Sequence, residues 1–96
     1  MSHKIETSRV LEAAAFIAQR DGFNNVTRES IAQKAGVSTG TVSHSFGTMI
    51  KLKRSVMRYA IQNNILDIIA VGLSIKDKTA MKIDDSLKKR VLATLF

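Results

Sequence analysis

TRESIAQKAGVSTGTVSHSF, residues 27–46, reads as two short helices joined by a tight turn. Its apolar positions are Ile31, Ala32, Ala35, Val37, Val42 and Phe46. Ala32 is small enough to let two helices approach closely. Gly36 stands where the chain must reverse, and glycine takes positive φ without steric cost. Val37 can plug the turn into a core, and Ser38 is a natural N-cap for the helix that follows. This is the sequence form of a helix-turn-helix, a motif whose second helix lies in a DNA major groove.

The outward residues of that second helix, about 38–46, carry the functional reading. With Val42 and Phe46 turned inward, Ser38, Thr39, Thr41, Ser43, His44 and Ser45 are left mainly outward. A solvated helix face would use Glu, Lys, Gln or Arg, which are better helix formers. Hydroxyl side chains disfavour an isolated helix but suit a face that meets phosphates and base edges at short range. The plain alternative is a poorly formed surface helix; the agreement of turn chemistry with apolar spacing argues against it. Thr39, Thr41, Ser43 and His44 are therefore the candidate base readers.

Charge supports the same reading. The net charge is +7, and its distribution is uneven. Residues 1–50 carry five basic and four acidic side chains, whereas Lys51, Lys53, Arg54 and Arg58 follow with no acid among them. Cations near a helix start oppose the helix dipole, so local helix stability does not explain them. Phosphates across the surface do. Together with Thr27, Arg28, Ser38, Ser45 and Thr48, these four form the candidate backbone-contacting set.

The chain has 96 residues and no Cys, Pro or Trp. Its length suits one domain with a modest core. Lack of Cys excludes disulfides and thiolate metal sites. Lack of Pro and the presence of only five Gly predict an all-helical domain. No stretch reaches the roughly 18 apolar residues of a membrane span, and no apolar signal region opens the sequence. The expectation is a cytoplasmic, nucleoid-associated protein of bacterial or phage origin.

Apolar periodicity predicts five helices. The first runs from about Lys4 to Arg20, with Val10, Leu11, Ala14, Ile17 and Ala18 inward, and ends at Gly22. The second is capped by Thr27, with Val26 as a hydrophobic staple on Ile31. The third spans about Ser38 to Phe46. Thr48 caps a long fourth helix, expected from about Met49 to Gly72, on which Ile61, Ile65, Ile68, Gly72 and Ile75 repeat at spacings of four and three. A short fifth starts near Asp84. The fold expected is a three-helix bundle with its helix-turn-helix, then a long helix and a short C-terminal helix that form a dimer interface. Ile61, Ile65, Ile68, Ile69, Leu73, Leu87, Val91 and Leu95 are the candidate dimerisation residues. The division expected is a DNA-binding head over 1–58 and a helical dimerisation segment over 59–96.

Residues about 10–52 resemble the DNA-binding head of tetracycline-repressor (TetR) family regulators. The likeness rests on Ala13, Ala14, Ala15, Gly22, Phe23, Thr27, Ile31, Ala32, Ala35, Gly36, Val37, Ser38, Gly40, Phe46 and Leu52. Two positions depart from the family pattern: Ser43 stands where Tyr is usual, and Met49 where Lys is usual. The family implies that both positions contact phosphates, so Lys51, Lys53 or Arg54 must stand in for the missing lysine. Members also carry a large ligand-binding and dimerisation domain. The 40 or so residues left here are too few to enclose an inducer pocket, so a small-molecule inducer is not expected.

Catalytic chemistry finds no support. His3 falls near the N-terminus, and His44 has neither Cys nor carboxylate at metal-ligand spacing. Asp84 and Asp85 are adjacent and diverge on a helix, which suits capping rather than acid–base work. No cofactor or metal is expected. The sequence therefore predicts a homodimeric, sequence-specific regulator of transcription, a repressor, bound to a palindromic operator in double-stranded DNA. Two alternatives stand beside it: an architectural or replication protein of a phage or plasmid, and a helical protein-interaction module. A basic amphipathic helix on an anionic membrane is a third.

Overall fold

The computed structural model describes residues 3–95, with side chains from Thr7 to Thr94. All regular structure among them is helical: α1 (His3–Asp21), α2 (Arg28–Ala35), α3 (Thr39–Phe46), α4 (Met49–Gln62), α5 (Leu66–Ser74) and α6 (Asp85–Leu95). Single 3-10 turns at Phe23–Asn25 and Ala80–Lys82 complete the path.

The first three helices form where local chemistry places their ends. α1 stops at Gly22, whose φ of 103° lies outside the range that L side chains favour. Phe23 and Val26 then drop into the core, 3% and 4% exposed. Thr27 and Ser30 close a reciprocal capping box on α2: the Ser30 amide donates to Thr27 Oγ1, and the Thr27 amide donates to Ser30 Oγ, both at 3.1 Å. Gly36 ends α2 at φ 73°, with the Val37 amide reaching back to the Ala32 carbonyl at 3.0 Å.

Beyond α4 the chain departs from the expected single long helix. α4 ends at Gln62, and α5 begins at Leu66. Asn64 takes φ 56°, the left-handed conformation that Asn tolerates better than most residues. The Ile65 amide donates to Ala60 O at 2.9 Å and the Asn64 amide to Ile61 O at 3.4 Å, the paired bonds of a Schellman stop. The Asn63 side chain adds a bond to Tyr59 O at 2.9 Å. These bonds satisfy carbonyls that a continuing helix would have used. The same device closes α5, where Lys76 sits at φ 57° and the Asp77 amide donates to Gly72 O at 2.8 Å.

This turn sends α5 back over the head. Ile68 and Ile69 are 2% and 0% exposed and join one cluster with Ile17, Leu52 and Met57. Val91 of α6 enters the same cluster, fully buried. A side-chain bond from Gln19 to Asp67 at 3.3 Å ties α1 to α5, and Arg90 to Asn64 at 3.3 Å ties α6 to the α4–α5 turn. At Gly72 the helices pack so closely that a methyl group would collide with Met57 and approach Ala80 Cβ to 2.8 Å. α6 starts as its sequence suggests, with Asp84 Oδ1 accepting the Leu87 amide at 2.8 Å.

Candidate nucleic-acid interface

α3 carries the proposed reading face. Ser38 caps it, accepting the Thr41 amide at 3.1 Å, and Gly47 closes it by donating to Ser43 O at 2.7 Å. Val42 is 1% exposed and anchors the helix to the core. At 100° per residue, Gly40 and His44 point most directly away from Val42. Both are exposed, as is Thr39. Ser43 and Thr41 flank that stripe, each half-buried. Gly40 stands on this outward face and is not among the candidate readers drawn from the sequence. A helical wheel centred on Val42 would have found it: a place with no side chain, in the middle of the outward face.

Several hydroxyls expected to face DNA are already partnered. Ser38 Oγ and Thr41 Oγ1 lie 3.0 Å apart and share one hydrogen bond. Thr27 Oγ1 also bonds Ser30 Oγ at 3.0 Å, in addition to its capping role. Thr48 caps α4 by accepting the Lys51 amide at 3.3 Å. Ser45 differs from the expectation. It lies on the flank of α3 only 60° from Val42, and its Oγ is enclosed without a partner. In this conformation Ser45 offers no hydroxyl to a phosphate.

The start of α2 and the start of α4 meet across α3. Arg28 is half-buried, and its Nη2 donates to the Gly47 carbonyl at 3.2 Å. Thr27, Arg28, Glu29, Met49 and Lys53 line one groove of about 360 Å³, in which two cations outweigh the one carboxylate. Lys53 therefore stands in the same groove as Met49, which supplies no charge. Its amine lies 5.9 Å from the centre of the Phe23 ring.

The four cations of α4 divide into two sets. Lys51, Arg54 and Arg58, at i, i+3 and i+7, share one stripe, and all three are exposed. Lys53 lies on an adjoining face, toward the α1–α2 connection, and is half-buried. Elsewhere, Arg20 donates to Asp21 at 3.0 and 2.8 Å, and these bonds hold the Asp21 carboxyl below its ordinary pKa. Lys34 lies 4.1 Å over the Phe16 ring.

The candidate dimerisation residues also separate. Ile68, Ile69 and Val91 are buried within the protomer's own core, because α5 folds back instead of extending α4. They are not presented to a second chain, and this corrects the expectation drawn from their spacing. Ile61, Ile65, Leu73 and Leu87 are half-buried. The Leu95 side chain falls outside the described residues. What α5 and α6 do present is Val71 and Leu92, the latter 43% exposed. Between these helices runs an apolar groove of about 440 Å³ lined by Asp67, Ala70, Val71, Ser74 and Thr94. Among the described residues, no helix is long and apolar enough to cross a membrane.

The N-terminal half of the chain is similar to known regulators. The model of the bacterial regulatory proteins of the tetR family matches residues 10–55. An HTH-type transcriptional regulator BetI of Paraburkholderia phymatum is 30% identical over 60 residues, covering 62% of this chain and 31% of the relative. BetI regulators of Paraburkholderia xenovorans and Burkholderia thailandensis are each 32% identical over 60 residues, with the same coverage. The chain thus spans about a third of the length of the curated relatives it matches. No solved structure is significantly similar. The matched span opens in α1 at Val10, crosses the Gly36 turn and the hydroxyl-rich α3, and closes in the basic start of α4: residues 10–55 are similar to the DNA-binding head of tetR-family regulators.

Proposed function

We propose that this chain is a homodimeric, sequence-specific transcription regulator, a repressor of a palindromic operator. The observation that carries the reading is α3 itself. It is a helix whose outermost positions are Gly40 and His44, flanked by Thr41 and Ser43, with Thr39 exposed at its first turn. Gly40 leaves the helix backbone free to approach the groove floor, and His44 reaches base edges from the same stripe. Thr39 and Ser43 offer hydroxyls from this helix; Thr41 contributes mainly through its methyl group, because its hydroxyl is held by Ser38. Lys51, Arg54 and Arg58 take one run of phosphates, while Arg28, Thr27 and Lys53 take another at the groove shared by α2 and α4.

One such helix reads only a few base pairs, so two copies related by a twofold axis are needed for useful specificity. Residues 59–96 supply the pairing surface in this reading. The half-buried Val71 and the apolar groove between α5 and α6 are its centre, with the exposed Leu92 on the other flank of α6. Residues 1–58 supply the head. The regulator is read as non-enzymatic and cytoplasmic, and it needs no inducer bound within the residues described.

A gel shift against random-sequence duplex at two salt concentrations tests the DNA reading directly. Retarded complexes that weaken steeply with salt support it. No retardation at low salt removes it and leaves the protein-interaction alternative.

A further inference from the structure

A second groove, of about 420 Å³, runs between the start of α4 and the turn after α5. Phe23, Ile50 and Ile75 line it together with Lys53, Arg54 and Lys78. Ile50 is 72% exposed and Ile75 46%, and Ile50 is the most exposed large apolar side chain among the described residues. Asp77 is the one carboxylate lining the groove, against three cations, and its Oδ2 accepts the Ala80 amide at 3.0 Å. The turn wall is preformed, because Lys76 at φ 57° and the bond from Asp77 to Gly72 fix its path. The positive end of α4 begins one residue before Ile50 and adds to the field.

Phosphates account for the cations but not for two exposed isoleucines. Duplex DNA presents apolar groups chiefly as thymine methyls in the major groove, where α3 is placed. Apolar side chains rimmed by cations instead match a helix that carries leucines on one face and carboxylates beside them. We propose that this groove docks an acidic, amphipathic helical segment of a partner protein. Its apolar side chains cover Ile50 and Ile75, and its carboxylates meet Lys53, Arg54 and Lys78. Arg54 also belongs to the exposed stripe with Lys51 and Arg58, so the partner sits beside bound DNA. The docking of the segment goes beyond the DNA reading; only its place beside bound DNA rests on that reading.

The probe is a fluorescein-labelled synthetic helix with leucines at i and i+4 flanked by glutamates, compared with a scrambled peptide of equal composition. Anisotropy should saturate with a Kd of about micromolar order. Amide shifts in ¹⁵N spectra should centre on Ile50, Arg54 and Ile75–Thr79. Ile50→Ser and Lys78→Glu, both at exposed positions that keep the fold, should each weaken binding by about tenfold. Lys89→Glu on α6 should leave it unchanged. The proposal is overturned by absence of saturable binding, by equal binding of the scrambled peptide, or by full affinity in Ile50→Ser. It is likewise overturned if the shifts map to α3, or if Ile50→Ser instead weakens duplex binding or dissociates a dimer of this chain.

Discussion

Neutralising the stripe Lys51, Arg54 and Arg58 together gives the most quantitative test of the electrostatic account. All three side chains are exposed and share one face of α4. Their replacement by Ala should change the stability of the fold by less than about 0.5 kcal/mol. Each phosphate contact contributes about 0.9 to the slope of log affinity against log salt, so the triple variant should lose about 2.7 per protomer and about 5 in a twofold complex. Over a fourfold rise in salt, that slope corresponds to about 10³ in affinity which the wild type loses and the variant does not. Specific and random duplexes should weaken alike, because phosphates carry no sequence. The assay is fluorescence polarisation with a labelled duplex across a salt series, with a thermal melt as the folding control. A triple variant that folds and keeps the wild-type slope refutes the assignment. Lys53 should behave differently, since its stem covers Phe23; Lys53→Ala should lower stability as well as affinity.

Two other substitutions probe the fold and the pairing surface. Gly72→Ala places a methyl group against Met57 and 2.8 Å from Ala80 Cβ, so it should destabilise by about 1–3 kcal/mol in urea unfolding despite the gain in helix propensity; an unchanged midpoint contradicts the packing described. Val71→Glu, on the wall of the α5–α6 groove, should convert a dimer to a folded monomer by sedimentation velocity, whereas Ile68→Asp should unfold the protomer because Ile68 is 2% exposed; a wild-type monomer at micromolar concentration removes the pairing proposal.

The parts of this fold that could be read in advance are those whose ends are set locally. Thr27 with Ser30, Gly36 with Val37, and Ser38 with Thr41 each place a helix boundary through neighbours three to five residues away. The break between α4 and α5 is also local, but apolar spacing hid it. Ile61, Ile65 and Ile68 keep helical intervals across a turn that Asn63 and Asn64 make, and two adjacent asparagines were the available signal. The burial of Ile68, Ile69 and Val91 follows from α5 returning to α1 and α4, a long-range contact that no periodicity encodes. At the candidate site, α3 and the exposure of Thr39 and His44 were legible, whereas the enclosure of Ser45 was not. Which hydroxyls are already committed was not legible either: Thr41 to Ser38 and the enclosed Ser45 depend on rotamers fixed by the folded neighbourhood.

The central claim is that α3 reads sequence. Selection of bound molecules from a random duplex library, with the wild type and with Thr39→Ala and His44→Ala, tests it most directly. The account predicts a twofold-symmetric consensus for the wild type and a changed base preference at one position in each half-site for each variant, with discrimination toward the low end of about 1–3 kcal/mol per base pair because α3 offers no Arg or Asn. An identical consensus from all three proteins would contradict it.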